Sequence, residues 1–317
     1  MKPILITMGD PAGIGPEVVV KSLARIGSWR PITVVGCKKC LEEVSDLCGL
    51  KLRFSSVDEP GYLMGAIPVI DMGGEDVPMG KATPEGGIYS YRYIVRASEL
   101  MMGGKASALV TGPVNKLAVN MAGVRFTGHT ELLAELAGGV RTKMLLYLDE
   151  LRVSHVTTHI PLRDVPASIS KEEISLTVRL TASFLRRLGE RVNIAVAGLN
   201  PHAGDGGVMG REEVDVIGPA VAELRSEGIK VEGPLSPDTI FLRALRGEFN
   251  AVVAMYHDQG HIPAKLIGFN RAVNVTLGLP YVRTSVDHGT AYDIVGRCMA
   301  DEGSMLKALE LAIKLAG

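Results

Sequence analysis

The sequence predicts an α/β fold with mixed sheets, and three observations carry that expectation. Short apolar runs that suit buried strands alternate with segments of helical spacing along the whole chain. Two strand-like runs, 143–148 and 151–158, flank Asp149-Glu150 as an antiparallel hairpin would, so the sheets are not expected to be purely parallel. Apolar residues make up 46% and aromatics only 5% of the 317 residues, which suits an Ala/Val/Leu/Gly-rich core and excludes a disordered chain. A chain of this length is expected to form two domains.

The elements follow in order. Ile4–Met8 reads as a buried strand, and the turn Gly9–Gly15 leads to a helix opened by Pro16, which has no N–H to leave unpaired there. Residues 32–35 form the next strand. A helix is expected over 85–103 and a strand over 108–111, ending at Gly112-Pro113. Residues 130–136 start another helix. Helical spacing returns at 172–188 and 211–227, with strands at 193–198 and 252–256, and 303–316 is a closing helix.

The formal net charge of −1 gives no general attraction to nucleic acid or anionic membranes. No stretch reaches about 18 apolar residues, so no membrane span is expected. The N-terminal MKPILITMGDPAGIGPE lacks a basic leader and an apolar h-region, so a cytoplasmic location is expected. Cys37 and Cys40 have a redox or zinc spacing, but no second pair completes a zinc cage. Together with Cys48 and Cys298 they are expected to be ordinary reduced thiols.

Three histidines sit where expected strands run out: His159, His202 and His257. Ligand sites in open α/β sheets gather beyond the carboxyl ends of strands. Neutral imidazole is the commonest protein ligand for metals. Three such groups could close on one divalent ion with positions left open for substrate. Asp258 could orient a ring or cap its turn. His155 alternates within a strand and reads as a packed core residue.

The surrounding loops suggest the rest of a site. The turn 9–17, with Gly13 and Gly15, can let a ligand approach the backbone or can be a tight turn alone. It lacks the full G-x-G-x-x-G pattern. Thr127–Glu131 opens a helix whose free N–H groups, with His129 and Thr130, could surround a phosphate; a simple threonine cap is the alternative. Lys265, Asn274 and Arg283 follow on separate short elements and suit a substrate carrying carboxylate or phosphate. Asp238 could bind a polar group or start a helix. Lys116 could assist proton transfer or be a solvated loop lysine. The small residues of 287–293 could admit an adenosine group, with His288 left out of the metal set.

The chain resembles the 4-hydroxythreonine-4-phosphate dehydrogenase family over nearly its whole length. The carriers are GDPAGIGPE (9–17), TGPVNK (111–116), GHTELLAEL (128–136), TTHIPLRD (157–164), GLNPHAG (198–204), GPLSPDT (233–239), MYHDQG (255–260) and TLGLPYVRTSVDHGTAYDI (276–294). The first and last also resemble the glycine turn and adenosine loop of isocitrate and isopropylmalate dehydrogenases. The resemblance implies an isocitrate/isopropylmalate dehydrogenase-like fold of two α/β/α domains with mixed sheets and a cleft between them. It divides the chain into residues 1–128 plus 285–317 and residues 129–284, the second carrying a dimer interface.

The resemblance also implies NAD or NADP and a divalent metal, zinc first, with magnesium or cobalt as alternatives. His159, His202 and His257 become the metal ligands, in a homodimer that supplies His257 from the partner subunit. Substrate binding falls on His129, Thr130, Lys265, Asn274 and Arg283, and Asp238 joins Lys116 as a catalytic candidate. The cofactor falls on Gly13, Gly15, Asp287, His288, Gly289, Thr290 and Asp293. The implied reaction oxidises and decarboxylates 4-hydroxythreonine-4-phosphate to 3-amino-2-oxopropyl phosphate, a step of pyridoxal phosphate biosynthesis.

One stretch departs from this pattern. His261-Ile262-Pro263, after Gly260, resembles a sister branch acting on 4-phospho-D-threonate or 4-phospho-D-erythronate, which yields dihydroxyacetone phosphate. The remaining motifs lean to the vitamin B6 branch. A metal-dependent phosphate-ester hydrolase and a non-catalytic sensor of phosphorylated metabolites are the rival classes.

Overall fold

Runs of β-branched and aliphatic residues too short for a stable helix become buried strands, and the amphipathic segments between them become the helices that cover those strands. The computed structural model describes residues 2–27, 31–268 and 271–317. The chain forms two units, residues 1–142 with 279–317, and residues 143–278. Residues 129–142 and 279–284, read from sequence as part of the second domain, therefore cluster with the first.

The first unit begins with β1 (Ile4–Thr7), α1 (Gly15–Ile26), β2 (Ile32–Gly36), α2 (Lys38–Leu47), β3 (Phe54–Ser56) and β4 (Ile67–Asp71). It continues through α3 (Pro84–Met102), β5 (Ala108–Thr111), α4 (Lys116–Met121) and α5 (His129–Leu136). The second unit holds β6 (Lys143–Tyr147), β7 (Arg152–His155), α6 (Val165–Ser168), α7 (Lys171–Arg187), β8 (Ile194–Ala197) and α8 (Gly218–Ser226). It ends with β9 (Val231–Leu235), α9 (Ile240–Leu245), β10 (Ala251–Ala254), α10 (His257–Gly268) and β11 (Val273–Leu277). The chain returns to the first unit with β12 (Val282–Ser285) and α11 (Gly303–Ala316).

In the first unit the strands lie in the order β3-β4-β2-β1-β5-β12, every pair parallel. The second unit has the order β11-β6-β7-β10-β8-β9. There β6 pairs antiparallel with both β7 and β11, while β7, β10, β8 and β9 are parallel. The expected mixture of directions is thus confined to the second unit. The Asp149-Glu150 hairpin is its source, because a two-residue turn can only join antiparallel strands.

Each unit has its own core. Ile4, Leu5 and Ile6 of β1 are wholly buried, as expected for a central parallel strand covered on both faces. In the second unit Leu146, Val153, Ala195, Val252 and Ala254 pack with Ile240 and Phe241. Among the described residues no helix is long and apolar enough to cross a membrane.

Two expectations are corrected. The segment 211–227 is not one regular helix: Glu213–Ile217 forms a π turn before α8. The cysteines are not all free thiols. Cys48 and Cys298 are joined as a disulfide with Cα atoms 5.6 Å apart, well inside the usual range. Spacing could not show this pairing, because 250 residues separate its members. Cys37 and Cys40 do remain free, and the Cys37 sulfur caps α2 by accepting from the Cys40 N–H at 3.1 Å.

Candidate active site

The first unit gathers positive charge at the start of α5. Arg283 lies on β12 beside Leu109 of β5 and is 3% exposed. Its Nε and Nη2 donate to the Thr111 hydroxyl at 3.1 and 2.6 Å, and that hydroxyl donates to Ser285 at 3.0 Å. These bonds fix the plane of the guanidinium. Burial pulls the Arg283 pKa down to about 10, yet the group stays charged at neutral pH.

Gly128 is the N-cap of α5 and has no side chain with which to accept from the first turn. The threonine cap considered from sequence is therefore not formed. A Cβ on Gly128 would lie 2.8 Å from Glu131 Oε2 and 3.7 Å from Lys116 Nζ, which places that carboxylate and that ammonium near the same helix end. The Nε2 of His129 is sealed from solvent without a hydrogen-bond partner. Burial, then the charges of Arg283 and Lys116, hold the His129 pKa well below its ordinary value. The two cations exceed the single carboxylate of Glu131, and with a neutral imidazole and a helix N-terminus they suit a phosphate or carboxylate.

The glycine turn and the 287–293 loop meet in the same unit. Ile14 N–H donates to the Thr290 carbonyl at 2.9 Å, and a Cβ on Gly13 would stand 2.9 Å from Thr290 Cβ. The buried Asp10 accepts from Ala12 N–H at 2.9 Å and from the Tyr292 hydroxyl at 2.6 Å. Burial raises the Asp10 pKa, and those two hydrogen bonds oppose the rise. A Cβ on Gly15 would come within 2.3 Å of the Met8 carbonyl oxygen. Packing against the chain's own backbone therefore accounts for both glycines without a ligand.

Beside the turn lies a cavity of about 270 Å³ lined by Gly13, Pro16, Glu17, Glu43, Glu75 and Gly296, among others. That volume falls just short of a typical site for a drug-sized ligand, so it suits one part of a dinucleotide. Asp287 N–H is held by the Ser304 hydroxyl at 3.2 Å. His288 Nδ1 faces the Gly289 carbonyl at 3.0 Å, while its Nε2 is buried with no partner. Gly289 and Asp293 are exposed.

The second unit carries the imidazoles. His159 follows β7 on an exposed loop, and its ring centroid is 5.7 Å from that of His257 at the start of α10. Both rings line a cavity of about 300 Å³. His257 Nδ1 is 2.7 Å from Asp258 Oδ1, so the carboxylate can hold the proton on Nδ1 and leave Nε2 for a metal. Lys265 lies two turns further along α10, and Asn274 on β11 has a buried Oδ1 without a partner.

His202 is placed elsewhere in this unit, with its Nδ1 3.9 Å from Asp238. Among the described residues, no set of three donors that includes these histidines comes within 4.8 Å. One chain alone does not close the trio. Asp238 accepts from the Ser236 hydroxyl at 2.6 Å, which lowers its pKa, and it precedes α9 without capping it.

The loop bearing His202 is unusual. His202, Ala203, Gly204, Asp205 and Gly206 have φ of 52, 54, 78, 45 and 65°, five successive left-handed residues of which three are not glycine. Such strain persists only where surrounding contacts over-determine it. Glu213, 3% exposed, supplies those contacts. Its Oε1 accepts from Leu199 and Asn200 N–H at 2.7 and 2.8 Å, and its Oε2 accepts from Asn200 Nδ2 at 2.9 Å. The π turn that begins at Glu213 sets this carboxylate under the loop; such turns recur at functional sites. Glu213→Ala leaves two N–H groups without acceptors and is expected to destabilise the protein by about 3 kcal/mol in urea titration. Unchanged stability in that variant rules this role out.

Two further histidines were not singled out as site residues. His261 Nδ1 lies 3.1 Å from His155 Nε2, and its ring stacks on His257 with centroids 3.6 Å apart. The signal was available: His257, His261 and Lys265 recur every fourth residue, hence on one face of a helix. His155 is wholly buried, as expected of a core residue. Burial, then the charges of His261 and its neighbours, lowers its pKa to about 3. The unfolded chain takes up that proton near pH 6.5, the folded chain only near pH 3. This contribution to stability is present above pH 6.5 and is lost as pH falls towards 3. Chemical denaturation should show that His155→Gln has a flatter acid limb than wild type; parallel limbs would refute this.

A two-unit α/β enzyme is the class to which this fold and these clustered polar groups point. The family model described as "Pyridoxal phosphate biosynthetic protein PdxA" matches residues 28–312, and the chain belongs to this family, as one of its dehydrogenases. It is 44% identical, over 99% of both chains, to D-threonate 4-phosphate dehydrogenase of Salmonella typhimurium. It is 45% identical to 4-hydroxythreonine-4-phosphate dehydrogenase of Geobacter metallireducens, over 99% of this chain and 95% of that one. A crystal structure of 4-hydroxythreonine-4-phosphate dehydrogenase from Klebsiella pneumoniae superposes with TM-score 0.91 at 43% identity, covering 100% of both chains. A β-decarboxylating dehydrogenase of Thermococcus kodakarensis, 13% identical, matches with TM-score 0.51 over 99% of this chain and 84% of that one, and shows the shared fold.

Proposed function

We propose that this protein oxidises the C3 alcohol of a 4-phosphorylated four-carbon acid and releases carbon dioxide from the β-keto acid formed. The observation that carries this reading is the buried Arg283 with Lys116 and His129 around the glycine start of α5, a seat for a phosphate or carboxylate. Arg283, His129, Thr130 and Lys116 bind one anionic end of the substrate; Lys265 and Asn274 are assigned to substrate binding by the family resemblance alone. Lys116 is assigned to the anion rather than to proton transfer, because its ammonium lies by the helix end. Asp238 takes up the proton of the alcohol.

A divalent cation, zinc first among the candidates, would be held by His159, His202 and the partner's His257 in a homodimer. The donor set fits, since Asp258 orients the His257 ring and Glu213 the His202 loop. When bound, the cation would supply polarisation of the alcohol and the nicotinamide an acceptor for its hydride. The segments at Gly13–Gly15 and Asp287–Asp293 would hold the nicotinamide dinucleotide. The carboxylates of Glu17, Glu43 and Glu75 around the nearby cavity favour ribose hydroxyls over a 2′-phosphate, hence NAD over NADP.

For the group at C2, His261-Ile262-Pro263 and the match to the Salmonella typhimurium enzyme favour a hydroxyl, and so 4-phospho-D-threonate or 4-phospho-D-erythronate. The Geobacter relative and the remaining motifs support an amine, and so 4-hydroxythreonine-4-phosphate. Both should be assayed side by side with zinc and NAD. Growth of reduced-nicotinamide absorbance on either supports the reaction, and the better kcat/KM names the branch. Phosphate release without nicotinamide reduction makes the protein a hydrolase, and binding without turnover makes it a sensor.

A further inference from the structure

Cys48 and Cys298 join two walls of one cavity. Cys48 caps the C-terminus of α2, one residue after Leu47, and Cys298 lies two residues after Gly296. Leu47 and Val44 on one side, and Val295 and Gly296 on the other, line the 270 Å³ space beside the glycine turn. We propose that Cys48 and Cys298 form a reversible disulfide site that clamps this end of the cavity when oxidised and releases it when reduced.

The chain presents Cys298 independently of the bond. Its φ of 55° is one that cysteine seldom adopts. Lys21 Nζ of α1 donates to the Cys298 carbonyl at 2.9 Å and to the Ala300 carbonyl at 2.8 Å. Ala300 N–H donates to buried Glu17 at 2.7 Å. Cys48 is fixed in turn by the helix end, where its N–H donates to Val44. The backbone at both cysteines therefore stays anchored within reach for the bond to re-form, while the reduced sulfurs are free to move apart and release the walls they joined. Both residues are half-buried, within reach of a small thiol reagent.

The chemistry balances through exchange. A low-molecular-weight disulfide takes two electrons and two protons from the two thiols and leaves as two thiols, and a dithiol reverses the step. The same sulfurs and Glu17 offer three donors within 4.8 Å of one another, so a thiophilic cation is the competing occupant. Against it, Glu17 Oε1 already accepts from the Lys21 ammonium at 2.8 Å, and a cation there would face that charge.

Cys40 supplies an internal probe, because it lines the same cavity and is free. The full-length protein should be equilibrated with oxidised glutathione, denatured, alkylated and mapped by mass. The expected result is alkylation at Cys37 and Cys40 with a linked Cys48–Cys298 peptide, and alkylation at all four cysteines after dithiothreitol. Reduction should lower the Tm by about 5 °C, and Cys298→Ser should show the lower Tm in both states. In the folded protein, alkylation of Cys40 should be about threefold or more faster in Cys298→Ser than in the oxidised wild type. Four reactive thiols after oxidised glutathione would overturn the bond, and equal Cys40 rates would overturn the clamp. One equivalent of zinc on the reduced protein that Cys48→Ser loses would replace both with a thiolate metal site.

Discussion

Arg283→Met is expected to lower kcat/KM for the phosphorylated substrate about 10²- to 10³-fold, because a fixed charge-assisted donor pair to an anion contributes about 3–4 kcal/mol. The fold should survive. Thr111 keeps its partner Ser285 when the guanidinium goes. Methionine of similar length fills the space and removes the cost of holding a charge out of water there. A thermal-shift titration with inorganic phosphate separates the two effects. Wild type should gain stability with phosphate, and the variant should keep its Tm but lose the gain. An unaltered KM together with an unaltered phosphate response removes Arg283 from the site.

His202→Ala should lower turnover at least about 10³-fold, since metal polarisation of an alcohol supplies several kcal/mol. Metal content is the second readout. Zinc per protomer, measured after dialysis, should fall to a small fraction of wild type. Stability should change little, because His202 is exposed and its nearest acidic partner, Asp238, is 3.9 Å away. Alanine inherits the same left-handed backbone, so that strain is common to both proteins and cancels. Full zinc occupancy with normal turnover in the variant would exclude His202 as a ligand.

Much of the fold was legible in the residues. The apolar runs at Ile4–Thr7 and Ala108–Thr111 and the amphipathic closing helix at Gly303–Ala316 lie where their periodicity puts them. Asn274 and Arg283 do lie on separate short strands, whereas Lys265 lies on the twelve-residue helix α10. Segments with weak patterns were not legible. The strands Phe54–Ser56 and Val231–Leu235 are short edge strands, exposed enough to lack a clear alternation. The π turn at Glu213 breaks a helical pattern that the sequence continues, because an extra residue per turn leaves no mark in composition.

By itself the sequence determined the class of fold and the residue types available for chemistry, because both rest on local periodicity and on side-chain identity. Strand ends marked His159, His202 and His257, and a helix start marked His129 and Thr130. Only the tertiary structure decided which groups act together. It set Glu213 beneath the His202 loop, His261 and His155 behind His257, and Cys48 against Cys298. The reason is physical: these partnerships join residues up to 250 positions apart, and such contacts are set by how strands and helices pack, which no window of adjacent residues encodes.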